Sequence, residues 1–228
     1  MNAIANFLAN YSDIYSVVLM SIFVSLSSTI LASIVGIGFA IPAALNNFKG
    51  KKALMRVTDT LMSLPPVLMG LFVYLMLSRS GPLGLLQMLF TPQAMIIAQF
   101  LLVLPIIFGL TSSALTKVSK EIKDTCISLG ASKKDIYFTI LKESRIQIFS
   151  VITVGFGRAI SEVGAVMMVG GNIKGYTRVM TTYIALETGQ GNFNEAIIIG
   201  LTLLAISFIV NFTLHRSEEH TSELQSPV

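Results

Sequence analysis

Long apolar runs separated by short polar clusters dominate the chain. Five of them are long enough for a helix to cross a hydrocarbon core, which takes about 20 residues. They cover residues 14–45, 54–77, 93–116, 148–170 and 195–214. The first exceeds the minimum and is expected to tilt or to end in the interface. The predicted fold is all-α, a polytopic bundle of about five transmembrane helices. Residues 14–214 form its one membrane domain, and residues 1–13 precede it.

The runs are not uniformly greasy. The first carries Ser25, Ser27, Ser28, Ser33, Gly36 and Gly38, the second breaks at Pro65-Pro66, and the third contains Pro105. Small residues let helices approach closely, and prolines free backbone groups that must line a cavity or find a protein partner. A bundle around an internal path accounts for these positions. Ordinary packing between membrane helices is the other reading.

Composition agrees with lipid as the solvent. The chain is 53% hydrophobic and 12% charged, with a mean hydropathy of +0.75, whereas ordinary domains are about a quarter charged. The positive charges are unevenly placed. Lys49, Lys51, Lys52 and Arg56 lie between the first two runs; Lys117, Lys120, Lys123, Lys133, Lys134, Lys142 and Arg145 lie between the third and fourth. The alternate connections hold Arg79, Lys174 and Arg178. The positive-inside rule then places residues 1–13 outside the cytoplasmic membrane and the C-terminal end inside. These flanking loops account for the net charge of +4, so no nucleic-acid partner is expected. Residues 1–13 hold no Lys or Arg, and no cleaved signal peptide is expected. Cys126 is the single cysteine, and His215 and His220 are the two histidines. Neither a disulfide nor a zinc-type cluster is expected, and no cofactor is implied.

After Leu214 the character changes to polar without apolar period. The run RSEEHTSELQS from Arg216 to Ser226 looks like the translation of a sequencing-library adapter. Residues 216–228 are therefore expected to be an artefactual tail, a genuine disordered tail being the alternative, and they are set aside from function.

The connection over residues 117–147 is patterned as two helices. Ser119 is expected to cap the first, Gly130 to end it in a left-handed conformation, and Ser132 with Asp135 to start the second as a capping box. Ile122, Thr125, Cys126 and Leu129 fall on one stripe of the first helix. A short amphipathic helix broken at glycine suits docking into another protein's groove; resting on anionic lipid through its lysines is the competing reading.

The residues Asp124-Thr125-Cys126-Ile127-Ser128-Leu129-Gly130-Ala131-Ser132 resemble the EAA loop of ABC importer permeases, an acidic residue and two small ones followed by Leu-Gly-Ala-Ser. Asp124 stands where Glu is usual, Thr125 and Cys126 where alanines are, and Lys142-Glu143 where Leu-Pro is usual. The resemblance implies a type I ABC importer permease fold, with this loop coupling to an ATPase subunit. Ser63-Leu64-Pro65-Pro66-Val67, the run from Gly157 through Ile173, and Thr177-Arg178-Val179-Met180-Thr181-Thr182 with Leu186-Glu187-Thr188 resemble the tungstate permease subgroup, related to molybdate and sulfate permeases. That resemblance covers roughly residues 14–214. It implies import of a tetrahedral oxyanion across a bacterial or archaeal cytoplasmic membrane. The implied partners are an ABC ATPase, an extracytoplasmic substrate-binding protein, a second permease copy and membrane lipid.

Arg158 and Glu162 are the clear charges deep within a run, four apart and so on one helix face. A charge at membrane depth costs about 2.5–3.5 kcal/mol on insertion scales and needs a partner or a wet cavity. Either the two pair and brace the fourth span, or Arg158 attracts a dianion in the path. Bracing is favoured, since release of substrate needs weak binding. Thr177, Arg178, Thr181 and Thr182 are expected just beyond that span. Their hydroxyls and guanidinium could bond an oxyanion; a plain interfacial loop facing the binding protein is the simpler reading.

The chain lacks G-x-x-x-x-G-K-[ST], so ATP is expected to be hydrolysed by a partner and no catalytic residues are assigned here. An ion-coupled secondary transporter would need intramembrane carboxylates such as Glu162 but leaves the EAA-like loop unexplained. A membrane scaffold would not need the proline and glycine breaks.

Overall fold

The computed structural model describes the backbone of residues 2–223 and the side chains of residues 14–210 and 212. The tail at residues 216–228 lies outside the described side chains. Nine α-helices occur among the described residues: α1 (Asn2–Leu45), α2 (Lys51–Met62), α3 (Pro66–Leu77), α4 (Pro92–Ser128), α5 (Lys133–Glu143), α6 (Arg145–Ile160), α7 (Gly164–Gly170), α8 (Met180–Gln190) and α9 (Phe193–Glu223).

Three apolar stretches lie in single helices long enough to cross a membrane: Ile14–Leu45, Pro92–Ser128 and Phe193–Val210. The second and fourth runs instead fold as bent pairs. α2 and α3 meet at 98°, and α6 and α7 at 57°. Each bent pair counted as one span gives five. At about 1.5 Å per residue, the 12 residues of α3 reach about 18 Å, well short of the roughly 30 Å hydrocarbon core. The break follows from local chemistry: Pro65 has the extended backbone of a cap, and Pro66 occupies the first turn of α3, where its missing N–H costs nothing.

α4 is the central helix. Its Ala94, Met95, Ala98 and Leu102 pack with Val24, Val73, Ala165 and Val169. Its Val103 and Ile107 pack with Ala32, Val151 and Ala159. Its Leu115 and Val118 pack with Ala44, Ile136 and Ile140. α1 meets it through small residues: Ser21, Ser25, Ser28, Ala32, Ala40 and Ala43 are all buried, while Phe23, Ile30, Ile34 and Phe39 point outward. The seam is small-on-large, as membrane helix pairs require when no water drives them together. α3 and α7 come closer still. A Cβ added at Gly70 would lie 2.6 Å from the Cα of Ala165, so only glycine fits that crossing.

Two expectations change. Ser119 does not start a helix: α4 runs unbroken from Pro92 to Ser128. Nothing between Thr116 and Lys120 is Gly or Pro, so a residue able to cap has no helix end to cap. The connection at 117–147 is thus the outer third of α4, a turn, and α5. The segment after the fourth run is also more than a loop. It contains α8, tied to α1 where the Met180 N–H donates to Ser21 Oγ at 2.7 Å.

Candidate functional site

The turn between α4 and α5 is held by backbone bonds at the end of α4 and by a capping box at the start of α5. Gly130 adopts φ +75°; its N–H donates to Ile127 O at 3.0 Å, and the Ala131 N–H donates to Cys126 O at 3.0 Å. This pair of bonds is the Schellman ending, which needs a left-handed residue and so favours glycine. α5 starts at once. The Asp135 N–H donates to Ser132 Oγ at 3.3 Å, and the Ser132 N–H donates to Asp135 Oδ2 at 3.1 Å. The Ser132 side chain and backbone bonds hold the Asp135 carboxyl below the usual aspartate range.

The expected stripe splits in two. Ile122, Cys126 and Ala131 pack inward against Ala44, Val118 and Ile136. Asp124 and Thr125 are exposed, as are Ile127 and Leu129, the latter 81% exposed. Phe138 on α5 joins them, exposed at 72%. Sequence reading passed over Ile127 and Phe138. The pattern in α5 held the clue, since Ile136 and Ile140 are its buried positions, leaving an aromatic on the opposite face. The result is a rigid elbow with apolar side chains and the Asp124 carboxylate on its outer surface.

The second set of residues gathers around the break between α6 and α7. Arg158 Nη1 and Glu162 Oε2 are 3.7 Å apart; the arginine side chain is 38% exposed and the glutamate 4%. Glu162 does not continue α6. It lies in the three-residue break, and its Oε1 accepts the Ala165 N–H at 3.1 Å. The carboxylate therefore meets the positive N-terminal end of α7 on one side and a guanidinium on the other, both favouring its charge. Thr181 Oγ1 donates to the Glu162 carbonyl at 2.8 Å, which ties α8 to the same break.

The threonines are buried and engaged with backbone. Thr177 Oγ1 donates to Gly170 O and accepts the Ile173 N–H at 3.0 Å. Thr182 Oγ1 donates to Val179 O at 3.0 Å and accepts the Val179 N–H at 3.1 Å. Arg178 lies with its guanidinium 5.0 Å from the centre of the Tyr183 ring, a cation–π contact. The Thr177 and Thr182 hydroxyls thus hold the segment between α7 and α8 in shape, and that of Thr181 holds α8 to the break before α7.

Gln99 was not foreseen. It is buried in α4, its Nε2 donating to Ala159 O at 2.8 Å and its Oε1 accepting from Ser28 Oγ at 3.0 Å. It joins α1, α4 and the end of α6. A Gln well inside an apolar run was the available clue, because a buried amide in a membrane must find partners. Glu187 is a further buried carboxylate, accepting from Asn192 Nδ2 at 2.9 Å.

This architecture is shared with known proteins. Residues 33–221 match the family described as binding-protein-dependent transport system inner membrane component. The tungstate uptake system permease protein of Peptoclostridium acidaminophilum is 46% identical over 207 residues, 91% of each chain. The corresponding protein of Campylobacter jejuni is 40% identical over 74% of this chain and 71% of its own. The molybdenum transport system permease protein of Azotobacter vinelandii is 25% identical over 86% and 91%. The fold is similar to a chain of the MetNI methionine ABC transporter in inward-facing conformations, with a TM-score of 0.68, 13% identity and coverage of 92% and 95%. The chain belongs to the binding-protein-dependent transport system inner membrane components: it is a multi-pass permease subunit of an ABC importer.

Proposed function

We propose that this chain forms the membrane path of an importer for a tetrahedral oxyanion, with tungstate the substrate ahead of molybdate or sulfate. The α4–α5 elbow is the element that receives the stroke of a separate ATPase. The carrying observation is Leu129, 81% exposed beside a turn fixed by the Gly130 and Ala131 backbone bonds. An apolar side chain held out on a rigid corner suits a groove in another protein. Asp124, Thr125 and Ser132 would border that contact, while Cys126, Gly130 and Ala131 hold its shape.

The substrate class is supported by the tungstate permeases at 46% and 40% identity. Molybdate and sulfate permeases are more distant, at 25% and 24%. Two copies would enclose the path, with an external binding protein delivering the anion. The orientation follows the lysines, putting the α4–α5 elbow and the α1–α2 connection in the cytoplasm. Their proximity supports a common side, since Tyr137 Oη donates to Asn46 Oδ1 at 2.8 Å. Arg158 pairs with Glu162 and braces the break between α6 and α7, leaving little net charge there to hold the anion. Thr177, Arg178, Thr181 and Thr182 shape the turn beside it.

The test is uptake into proteoliposomes holding this chain, its ATPase and its binding protein. Tungstate should accumulate with ATP and be competed by excess tungstate more effectively than by molybdate or sulfate. Equal uptake without the ATPase would overturn the importer reading.

A further inference from the structure

Where α1 gives way to α2, two cavities adjoin, and cations border the second. One, of about 640 Å³, is apolar and lined by Phe39, Pro42, Leu54, Leu61, Leu104 and Phe108 among others. The other, of about 680 Å³, holds Lys51, Lys52, Arg56 and Thr116. Phe48 belongs to the wall of both. Lys51 also lines a third space, of about 400 Å³, with Lys117 and Lys120.

The apolar space offers water few partners and so favours an apolar filler. It is open on one side, where Phe39, Leu54 and Leu61 are exposed. The second space has an apolar wall at Phe48 and Met55 and is bordered by cations. Lys51 Nζ already donates to Ala44 O at 2.8 Å and Asn46 O at 3.2 Å, so it fixes the connection and lends charge. Lys52 and Arg56 are one helical turn apart on α2, whose single carboxylate is Asp59. α2 packs along α4, with Lys51 near Thr116 and with Thr58 and Met62 beside Gly109, which puts its cations at one end of the apolar groove.

We propose that this composite groove binds one anionic phospholipid, its phosphate between Lys52 and Arg56 and an acyl chain in the space walled by Phe39, Leu54 and Leu104. An ion with no chain would leave the apolar half empty, and a zwitterionic lipid would gain less from the cations. The choice of leaflet rests on the orientation proposed above; binding itself does not.

Native mass spectrometry of the full chain released from bilayers containing phosphatidylglycerol and phosphatidylcholine with matched acyl chains tests this. Phosphatidylglycerol should be retained on the order of tenfold over phosphatidylcholine. Lys52→Gln with Arg56→Gln should bring it to the phosphatidylcholine level, and Leu54→Asn should weaken both lipids. Lys133→Gln with Lys134→Gln, on α5, should change neither. Equal retention of the two lipids would overturn the proposal. So would displacement of phosphatidylglycerol by glycerol phosphate alone, or disulfide crosslinking of a Leu54→Cys chain to a second copy across the groove. Because the readout is lipid retention, failure leaves the transport reading untouched.

Discussion

Glu162 accepts the backbone N–H of Ala165 at 3.1 Å across the break between α6 and α7. One buried side chain therefore does two things: it neutralises the start of α7 and stands 3.7 Å from the Arg158 guanidinium. The bent fourth span depends on it, because an N–H at a helix start has no partner within the helix.

Glu162→Leu should leave that N–H buried and unsatisfied and the guanidinium unpaired. The loss expected is about 1–3 kcal/mol for the orphaned donor, read as a lower unfolding temperature in detergent. Glu162→Gln keeps an acceptor for Ala165 and should be the milder change. If the two variants unfold alike, capping of α7 is not what Glu162 contributes.

The α3–α7 crossing makes a sharper structural test. With a Cβ at position 70 meeting backbone at 2.6 Å, Gly70→Ala should force the helices apart and destabilise by about 1–3 kcal/mol. Gly38→Ala, in open space on α1, should be near neutral or slightly stabilising. Thermal unfolding of both variants in one detergent decides it; equal stability would contradict the packing described.

How far the sequence led varies by element, and the reasons are physical. Long unbroken apolar runs marked α1, α4 and α9 because length and hydropathy are local properties. Pro65-Pro66 marked a break but not its 98° angle, which depends on α2 packing against α4. Arg158 and Glu162 were paired by helical spacing, yet the helix ends at Ile160 with no proline to announce it. α8 went unseen because its 11 residues cannot span a bilayer; its burial comes from α1 and α9. At the elbow, the glycine turn and capping box were legible, since both are set by neighbours in sequence. Which face of α4 would be covered was not, because the covering residues, Ala44 and Ile136, come from other helices.

The capping box gives a pH prediction. Asp135 has a carboxyl pKa lowered in the folded state by its Ser132 bonds. A lowered pKa means stabilisation that is present above the ordinary aspartate value and is lost as pH falls through the lowered one. Amide exchange in α5 should be insensitive to this group at neutral pH and lose protection, relative to the rest of the chain, only in strong acid. Ser132→Ala should reduce α5 protection already at pH 7. An unchanged exchange pattern in Ser132→Ala would contradict a working cap.

Orientation is tested by single cysteines in a Cys126→Ala background. Ser132→Cys should react with a membrane-impermeant thiol reagent only after cells are opened, and Ser80→Cys in intact cells. Labelling of position 132 from outside would reverse the arrangement argued from the lysines.

The central claim is that the α4–α5 elbow carries the ATPase stroke into the membrane path. Gly130→Val places a β-branched residue at φ +75°, which L side chains avoid by about 1–2 kcal/mol, while touching no membrane-spanning segment. The decisive measurement is ATP hydrolysis in proteoliposomes containing the permease, its ATPase and the loaded binding protein. Gly130→Val should insert normally but lose the stimulation that loaded binding protein gives the unaltered complex. Stimulation equal to that of the unaltered complex would contradict the account.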